Sequence, residues 1–286
     1  MNKIYSKLFE FLEIGDDFPT VIMGVLNLSP ESFYKESVYN EESVYDSAVE
    51  MIKNGAKILD LGARSTAPWS EKISIQEEIK RILTSMEIIC KKIHDNIIVS
   101  VDTQYKEVVV PCFEIATKYK KKLIINDVSC LKTDPSLEDF VIENNIPIIL
   151  MASKEIPGDL CTIEEIIEEL KKTVKKLNKR GYEKHNIILD PGIGRWIEKK
   201  IHSYDLKIIH NLNRLRVLKC PILIAVSRKS FIGNTLNITD PRNRYNGTLS
   251  ATAISVFNGA HIVRTHDVNQ QLLEIVKMAE EIRRSK

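Results

Sequence analysis

Seven of the eight short apolar runs in this chain of 286 residues end on side chains that form strong hydrogen bonds. In chain order these are Asn27, Asp60, Asp102, Asn126 with Asp127, Asp190, Ser227 with Lys229, and Arg264 with His266. Only the fifth run, ending near Met151, lacks such a group. The set divides by chemistry. Asp102, Asn126 and Asp190 offer acceptors and an amide, which suit a flat heterocycle with adjacent N–H donors and a lactam oxygen, such as a purine or a pterin. Asn27, Lys229, Arg264 and His266 bring cations and neutral polar groups. These suit a phosphate or diphosphate, with a magnesium ion held through Asn27 and phosphate oxygens. A ring beside a polyphosphate implies phosphoryl chemistry or displacement of diphosphate as a leaving group. The common phosphoryl-transfer frames are absent, with neither a Walker-type lysine loop nor a G-x-G-x-x-G after a strand. Helix capping is a competing role for Asp60 and Asp127.

The elements that must position these residues follow from periodicity. The apolar runs lie at 20–29, 57–62, 96–102, 122–128, 147–152, 186–192, 221–227 and 261–267. They are rich in Ile and Val at both alternating positions, as parallel strands covered on both faces require. Stretches of helical period lie between them. In 163–180, Ile163, Ile166, Ile167, Leu170, Val174 and Leu177 form one stripe, Thr162 and Glu165 make a capping box, and Gly181 ends the helix. Residues 43–53 end similarly at Gly55, and 268–285 is a final amphipathic segment. Eight strands alternating with about eight helices predict a single (β/α)8 barrel domain over 1–286, with a short helical N-terminal extension over 1–19, rather than an open doubly wound sheet. In a barrel the polar strand ends converge on one face.

Composition narrows the classes. Forty-one Lys and Arg nearly balance 39 Asp and Glu, so no basic field favours nucleic acid. The charged run at 171–180 reads as a solvated helix face. Five scattered cysteines without a C-x-x-C pair support neither a zinc site nor a disulfide framework. No apolar run approaches the ~18 residues of a membrane span, and no signal peptide is visible. A cytoplasmic protein without membrane or nucleic-acid partners is expected.

The motifs NLSPESF (27–33), GARSTAP (62–68), SVDT (100–103), INDV (125–128), LDPGIG (189–194), SRKSF (227–231) and RTHDV (264–268) resemble the dihydropteroate synthase family in order and rough spacing. The resemblance covers about residues 20–270. It implies a (β/α)8 barrel, a homodimer, and condensation of a hydroxymethyldihydropterin diphosphate with p-aminobenzoate, releasing diphosphate. It places Asp102, Asn126, Asp190 and Lys229 at the pterin, with Asp102, Asp190 and Lys229 as the catalytic set. Asn27, Thr66, Arg264 and His266 fall at the diphosphate and magnesium, and Phe33, Pro68 and Ser230 near the arylamine.

The chain departs from the family pattern in three loops. After Phe33 it reads Tyr34, Lys35, Glu36, with Lys35 where an aspartate is usual. The second loop reads Arg64, Ser65, Thr66, Ala67, Pro68, with Ala67 in place of an arginine. After LDPGIG, Arg195, Trp196 and Ile197 replace the usual Phe-Gly-Lys. This variant resembles archaeal homologues and leaves open a larger, ribosylated and phosphorylated arylamine as second substrate. A third reading is a pterin-binding or methyltransferase-type protein without diphosphate chemistry. Trp69 and Trp196 either wall the arylamine or cover apolar barrel surface, and Arg195 either contacts phosphate or is solvated.

Overall fold

The structure is a computed structural model and describes residues 3–29, 43–65 and 72–285. Eight parallel strands form the barrel: β3 (Val21–Asn27), β4 (Ile58–Gly62), β5 (Ile98–Asp102), β6 (Lys122–Asp127), β7 (Ile148–Met151), β8 (Ile187–Asp190), β9 (Leu223–Ile224) and β10 (Ile262–Thr265). Pairing runs in chain order from β3 to β8, and β10 pairs with both β3 and β9. The seam between β8 and β9 closes through one bridge, Leu189 to Ile222, and the Leu189 N–H bonding the Pro221 carbonyl at 2.9 Å.

Each run expected to be a strand contains one, and the two-sided burial explains their apolar character. Ile58, Ile98, Ile124, Ile149, Ile188 and Ile262 fill the lower barrel interior. Leu59, Val99, Ile125, Ile148, Leu189 and Val263 face the helical layer. One residue pair above the inner isoleucines, the same faces carry Asp60, Ser100, Asn126, Asp190 and Arg264. The polar strand ends are therefore the upper layers of the barrel interior.

The helical layer is α1 (Ser43–Lys53), α2 (Ile75–Lys92), α3 (Lys106–Lys118), α4 (Pro135–Glu143), α5 (Ile163–Lys179), α6 (His202–His210), α7 (Ser230–Leu236), α8 (Tyr245–Phe257) and α9 (Gln270–Arg284). On α5 the Thr162–Glu165 capping box forms in both directions, and its expected stripe is buried apart from the half-buried Ile167. Among the described residues no helix is long and apolar enough to cross a membrane.

The N-terminal extension is a correction. It is not helical but an antiparallel hairpin, β1 (Tyr5–Leu8) with β2 (Leu12–Gly15). The Glu, Lys, Leu and Phe content suggests a helix, but burial alternates with period two along Tyr5–Leu8. That alternation sends Leu8 and Ile14, both fully buried, into the barrel floor. A plug that must cover an open barrel end thereby overrides helix propensity. Asp16 locks it, accepting both Arg216 Nη atoms at 2.6 and 2.8 Å and the Ile4 N–H at 2.7 Å. The buried His261 ring lies 3.2 Å from the same carboxylate.

Candidate active site

A cavity of about 360 Å³ opens at the carboxyl ends of the strands. Asn27, Asp102, Asn126, Asp190, Arg264 and His266 line it from the barrel, and Lys229 and Ser230 from the start of α7. Every residue to which the resemblance gives a binding role, and which falls among the described residues, therefore lines one cavity. Thr66, Phe33 and Pro68, with Lys35, Ala67 and Trp69, lie outside the described residues.

Arg264 sits at the centre. Its Nε donates to Asp60 Oδ2 at 2.6 Å and its Nη2 to Asp102 Oδ2 at 2.7 Å. Asn126 Nδ2 donates to the same Asp60 oxygen at 3.2 Å. Asp60 is fully buried behind the cavity wall and begins no helix, so its role is to orient Arg264 and Asn126 rather than to cap. Asp127 instead organises the turn after β6, accepting the Ser129 N–H at 2.8 Å and the Leu131 N–H. Burial works against the Arg264 cation, yet Asp60 and Asp102 hold its pKa above the usual guanidinium range. Asp102 is pushed up to about 7 by burial, with Arg264 opposing and Asp60, Glu78 and Asp127 reinforcing. Among the described residues one buried Asp102 oxygen has no hydrogen-bond partner, which leaves an acceptor able to take a donor from a bound molecule.

Asp190 and Lys229 face each other across the β8 loop. Asp190 Oδ1 accepts the Gly192 N–H at 2.7 Å. Burial raises its pKa, and the Lys229 cation and that N–H resist the rise. Lys229 Nζ donates to the Ile193 carbonyl at 2.5 Å and stands 5.8 Å above the Trp196 ring. Burial lowers Lys229 to about 8, with Asp190 supporting the charged form. The half-buried Trp196 lines the cavity and packs on Gly158, where an added Cβ would fall 2.1 Å from the indole. Trp196 thus lines the cavity while covering Gly158, and the exposed Arg195 lines the cavity beside it.

The other side of the cavity is built from β10 and the loop after β9. Burial and the Arg264, Arg228 and Lys229 cations push the His266 imidazole down to about 3, so it is neutral at pH 7. Ser227 Oγ accepts the His266 backbone N–H at 3.3 Å and lies 3.0 Å from Nδ1. A hydroxyl proton donated to Nδ1 selects the tautomer protonated at Nε2, which can donate to an anion. Arg228 grips Asp267 with two bonds of 2.8 and 2.7 Å and also donates to the Arg242 carbonyl at 2.6 Å. This fork welds the SRKSF and RTHDV segments together and fixes the backbone that carries Lys229 and His266. Both residues stand within motifs visible in the sequence, although their pairing was not. Arg64 and Arg244 are further cations at the cavity that sequence reasoning left without a role. Arg64 is tied at 2.5 Å to buried Glu78 on α2.

Buried carboxylates and an amide stand beside cations at the mouth of a (β/α)8 barrel, and known proteins share this architecture. The family described as pterin binding enzymes matches residues 23–266, and the chain belongs to that class. It is 34% identical over 260 residues to the dihydropteroate synthase of Bacillus subtilis, covering 91% of this chain and 87% of the relative. With the dihydropteroate synthase of Clostridium beijerinckii it shares 36% over 268 residues, 93% of this chain and 94% of the relative. The fold superposes on a dihydropteroate synthase from Coxiella burnetii in complex with pteroic acid, with a TM-score of 0.81, 30% identity, and coverage of 99% and 100% of the two chains. Within the pterin binding enzymes, this chain is a member of the dihydropteroate synthase family.

Proposed function

We propose that the chain is a transferase that condenses 6-hydroxymethyl-7,8-dihydropterin diphosphate with p-aminobenzoate and releases diphosphate, a step of folate biosynthesis. The observation that carries this reading is the juxtaposition, in one cavity, of the Asp102–Asn126–Asp190 acceptor set with Lys229, Arg264 and His266. A methyl carrier or simple pterin binder has no need of the second group. Pteroic acid, bound by the Coxiella burnetii relative, supports the pterin–arylamine pairing.

In this reading Asp190 and Asn126 hold the ring's N–H and carbonyl edge, and Asp102 contributes through the oxygen that has no partner among the described residues. Ionised Asp190 also offsets positive charge developing on the ring as the C–O bond to diphosphate breaks. The arylamine nitrogen bonds to the freed methylene carbon and loses one proton. Its attack requires placement more than a strong base. Lys229 bridges the ring and the incoming amine, with Ser230, Trp196 and Arg195 on the arylamine side. Arg264 and neutral His266, with Asn27, receive the departing diphosphate.

Among the described residues no three His, Cys, Asp or Glu side chains gather as a metal cage. Asn27 supplies a single neutral oxygen, which also accepts the Ser29 N–H at 3.0 Å. Such a sparse donor set fits magnesium bound largely by phosphate oxygens and water. When bound, it neutralises charge on the leaving diphosphate.

A second copy of the chain is the proposed protein partner. Leu206, Leu236 and Ile254 are exposed on α6, α7 and α8, three helices that pack side by side. The five unpaired cysteines suit a reducing cytoplasm. Diphosphate release measured with p-aminobenzoate, a ribosylated aminobenzene phosphate and no arylamine tests the reaction. Release dependent on p-aminobenzoate is expected. Dependence on the phosphorylated compound alone would reassign the second substrate, and release with neither would leave a pterin binder.

A further inference from the structure

Among the described residues Lys200 is the largest wholly buried side chain, with no exposed surface. Lysine is almost never buried in this way without a specific partner. The chemistry outlined above leaves it without a task. Its Nζ donates to the Gly192 carbonyl at 2.6 Å, lies 3.5 Å from the Gly158 carbonyl, and stands 3.8 Å from Asp205 Oδ1 on α6. That same Asp205 oxygen accepts the Gly194 N–H at 3.0 Å. Between these two anchors is Ile193, whose carbonyl holds Lys229.

The turn needs such support. Gly192 and Gly194 have φ values of +73° and +126°, so the backbone on both sides of Ile193 is glycine in left-handed space. Glycine there is accommodated without strain but has the most freedom to leave. A buried Lys–Asp pair is also a poor source of stability, since an apolar pair of equal volume often serves as well or better. Its geometry suggests a different benefit. One charge grips the carbonyl before Ile193 and the other grips the N–H after it.

We propose that Lys200 and Asp205 are positioning residues for the transfer reaction, clamping the Gly192–Gly194 turn so that the Ile193 carbonyl presents Lys229 Nζ beside Asp190. The inference rests on the functional reading of Lys229 given above. Burial lowers the Lys200 pKa and raises that of Asp205, and each opposes the other's shift. The pair therefore has to be removed together to be tested cleanly.

The variant Lys200→Met/Asp205→Asn removes both charges while leaving an amide oxygen for the Gly194 N–H. It is compared with Lys200→Met alone, with Lys229→Ala, and with the triple variant. Folding is followed by circular dichroism and melting. The paired variant is expected to fold and to lose kcat on the order of tenfold to a hundredfold, with a smaller change in KM for the pterin diphosphate. Added to Lys229→Ala, the same pair of changes is expected to cost no more than about twofold, because the residue it positions is already gone. A folded variant with unaltered kcat would overturn the proposal, as would a full, additive loss in the Lys229→Ala background. Failure of both Lys200 variants to fold would assign the pair to stability and overturn it as well. Absence of diphosphate release by the unaltered protein would instead defeat the functional reading. The clamp would then be judged by the same cycle on pterin affinity, with independence from Lys229 counting against it.

Discussion

Replacing Asp190 by asparagine separates ring recognition from folding. The amide is nearly isosteric, and its oxygen can keep the 2.7 Å bond from the Gly192 N–H. The other carboxylate oxygen becomes an NH2 group, so a donor faces the ring's donors. Asp190 is 6% exposed, and burial already disfavours its charge. Removing that charge withdraws Coulomb support from Lys229 but relieves the desolvation of a buried carboxylate, so the fold is expected to survive the exchange. Lys229, held at about 8 partly by Asp190, falls lower in the variant. Ring binding loses a charge-assisted hydrogen bond worth roughly 1.5–3 kcal/mol, which is roughly a tenfold to hundredfold weaker Kd. Calorimetry with bare 6-hydroxymethyl-7,8-dihydropterin measures this directly, with circular dichroism as the folding control. A folded variant with unchanged pterin affinity would refute the assignment of Asp190 to the ring. Loss of turnover alone would confine its role to the charge that develops as diphosphate leaves.

Removing the Arg264 guanidinium by Arg264→Met leaves Asp60 and Asp102 facing each other, and a loss of about 3–5 kcal/mol in denaturant unfolding is expected. Asp102→Asn in the same chain should recover part of it, and no recovery would contradict the shared pairing. The pH profile of kcat/KM follows from two groups. Pterin affinity requires ionised Asp102 and so rises with pH through about 7, while the charge on Lys229 is lost above about 8. An optimum between these limbs is expected in a pH–rate series, and His266, already neutral there, adds no limb of its own. Chelation of magnesium is expected to stop diphosphate release while sparing bare pterin binding in calorimetry, and turnover indifferent to chelator would argue against the Asn27 site.

Much of the fold was legible because its strands are buried on both faces. Ile at the alternating inner positions and Leu, Val or Ile at the outer ones leave continuous apolar runs, and the polar residue closing seven of the eight marks the carboxyl end of a barrel strand. The N-terminal segment was not legible in the same way. Residues 4–8 carry a period-two pattern too short to outweigh helix-favouring composition, and only the open barrel floor gives that pattern its meaning. The hairpin exists because Leu8 and Ile14 have somewhere to go.

The candidate site divides along the same physical line. Residues pointing into the cavity were visible one by one, since a polar group at the end of a buried strand is conspicuous wherever it occurs. The groups that hold them were not, because their meaning lies in pairings across long stretches of chain. Asp60 and Arg264 are separated by 204 residues, and the choice between cap and active-site support for Asp60 could be made only once their 2.6 Å bond was seen. Lys200 is the extreme case. In the sequence it closes a run of charges, Glu198-Lys199-Lys200, in which nothing singles it out. In the structure it is the one member of that run turned fully inward, because the Gly192 carbonyl and Asp205 offer a charged ammonium a place that water otherwise supplies. Periodicity reports where apolar surface goes, but it carries no signal for a lone charge drawn inward by backbone carbonyls. The supporting layer of this site is therefore legible only in three dimensions, while the strand ends already announce the layer that lines the cavity.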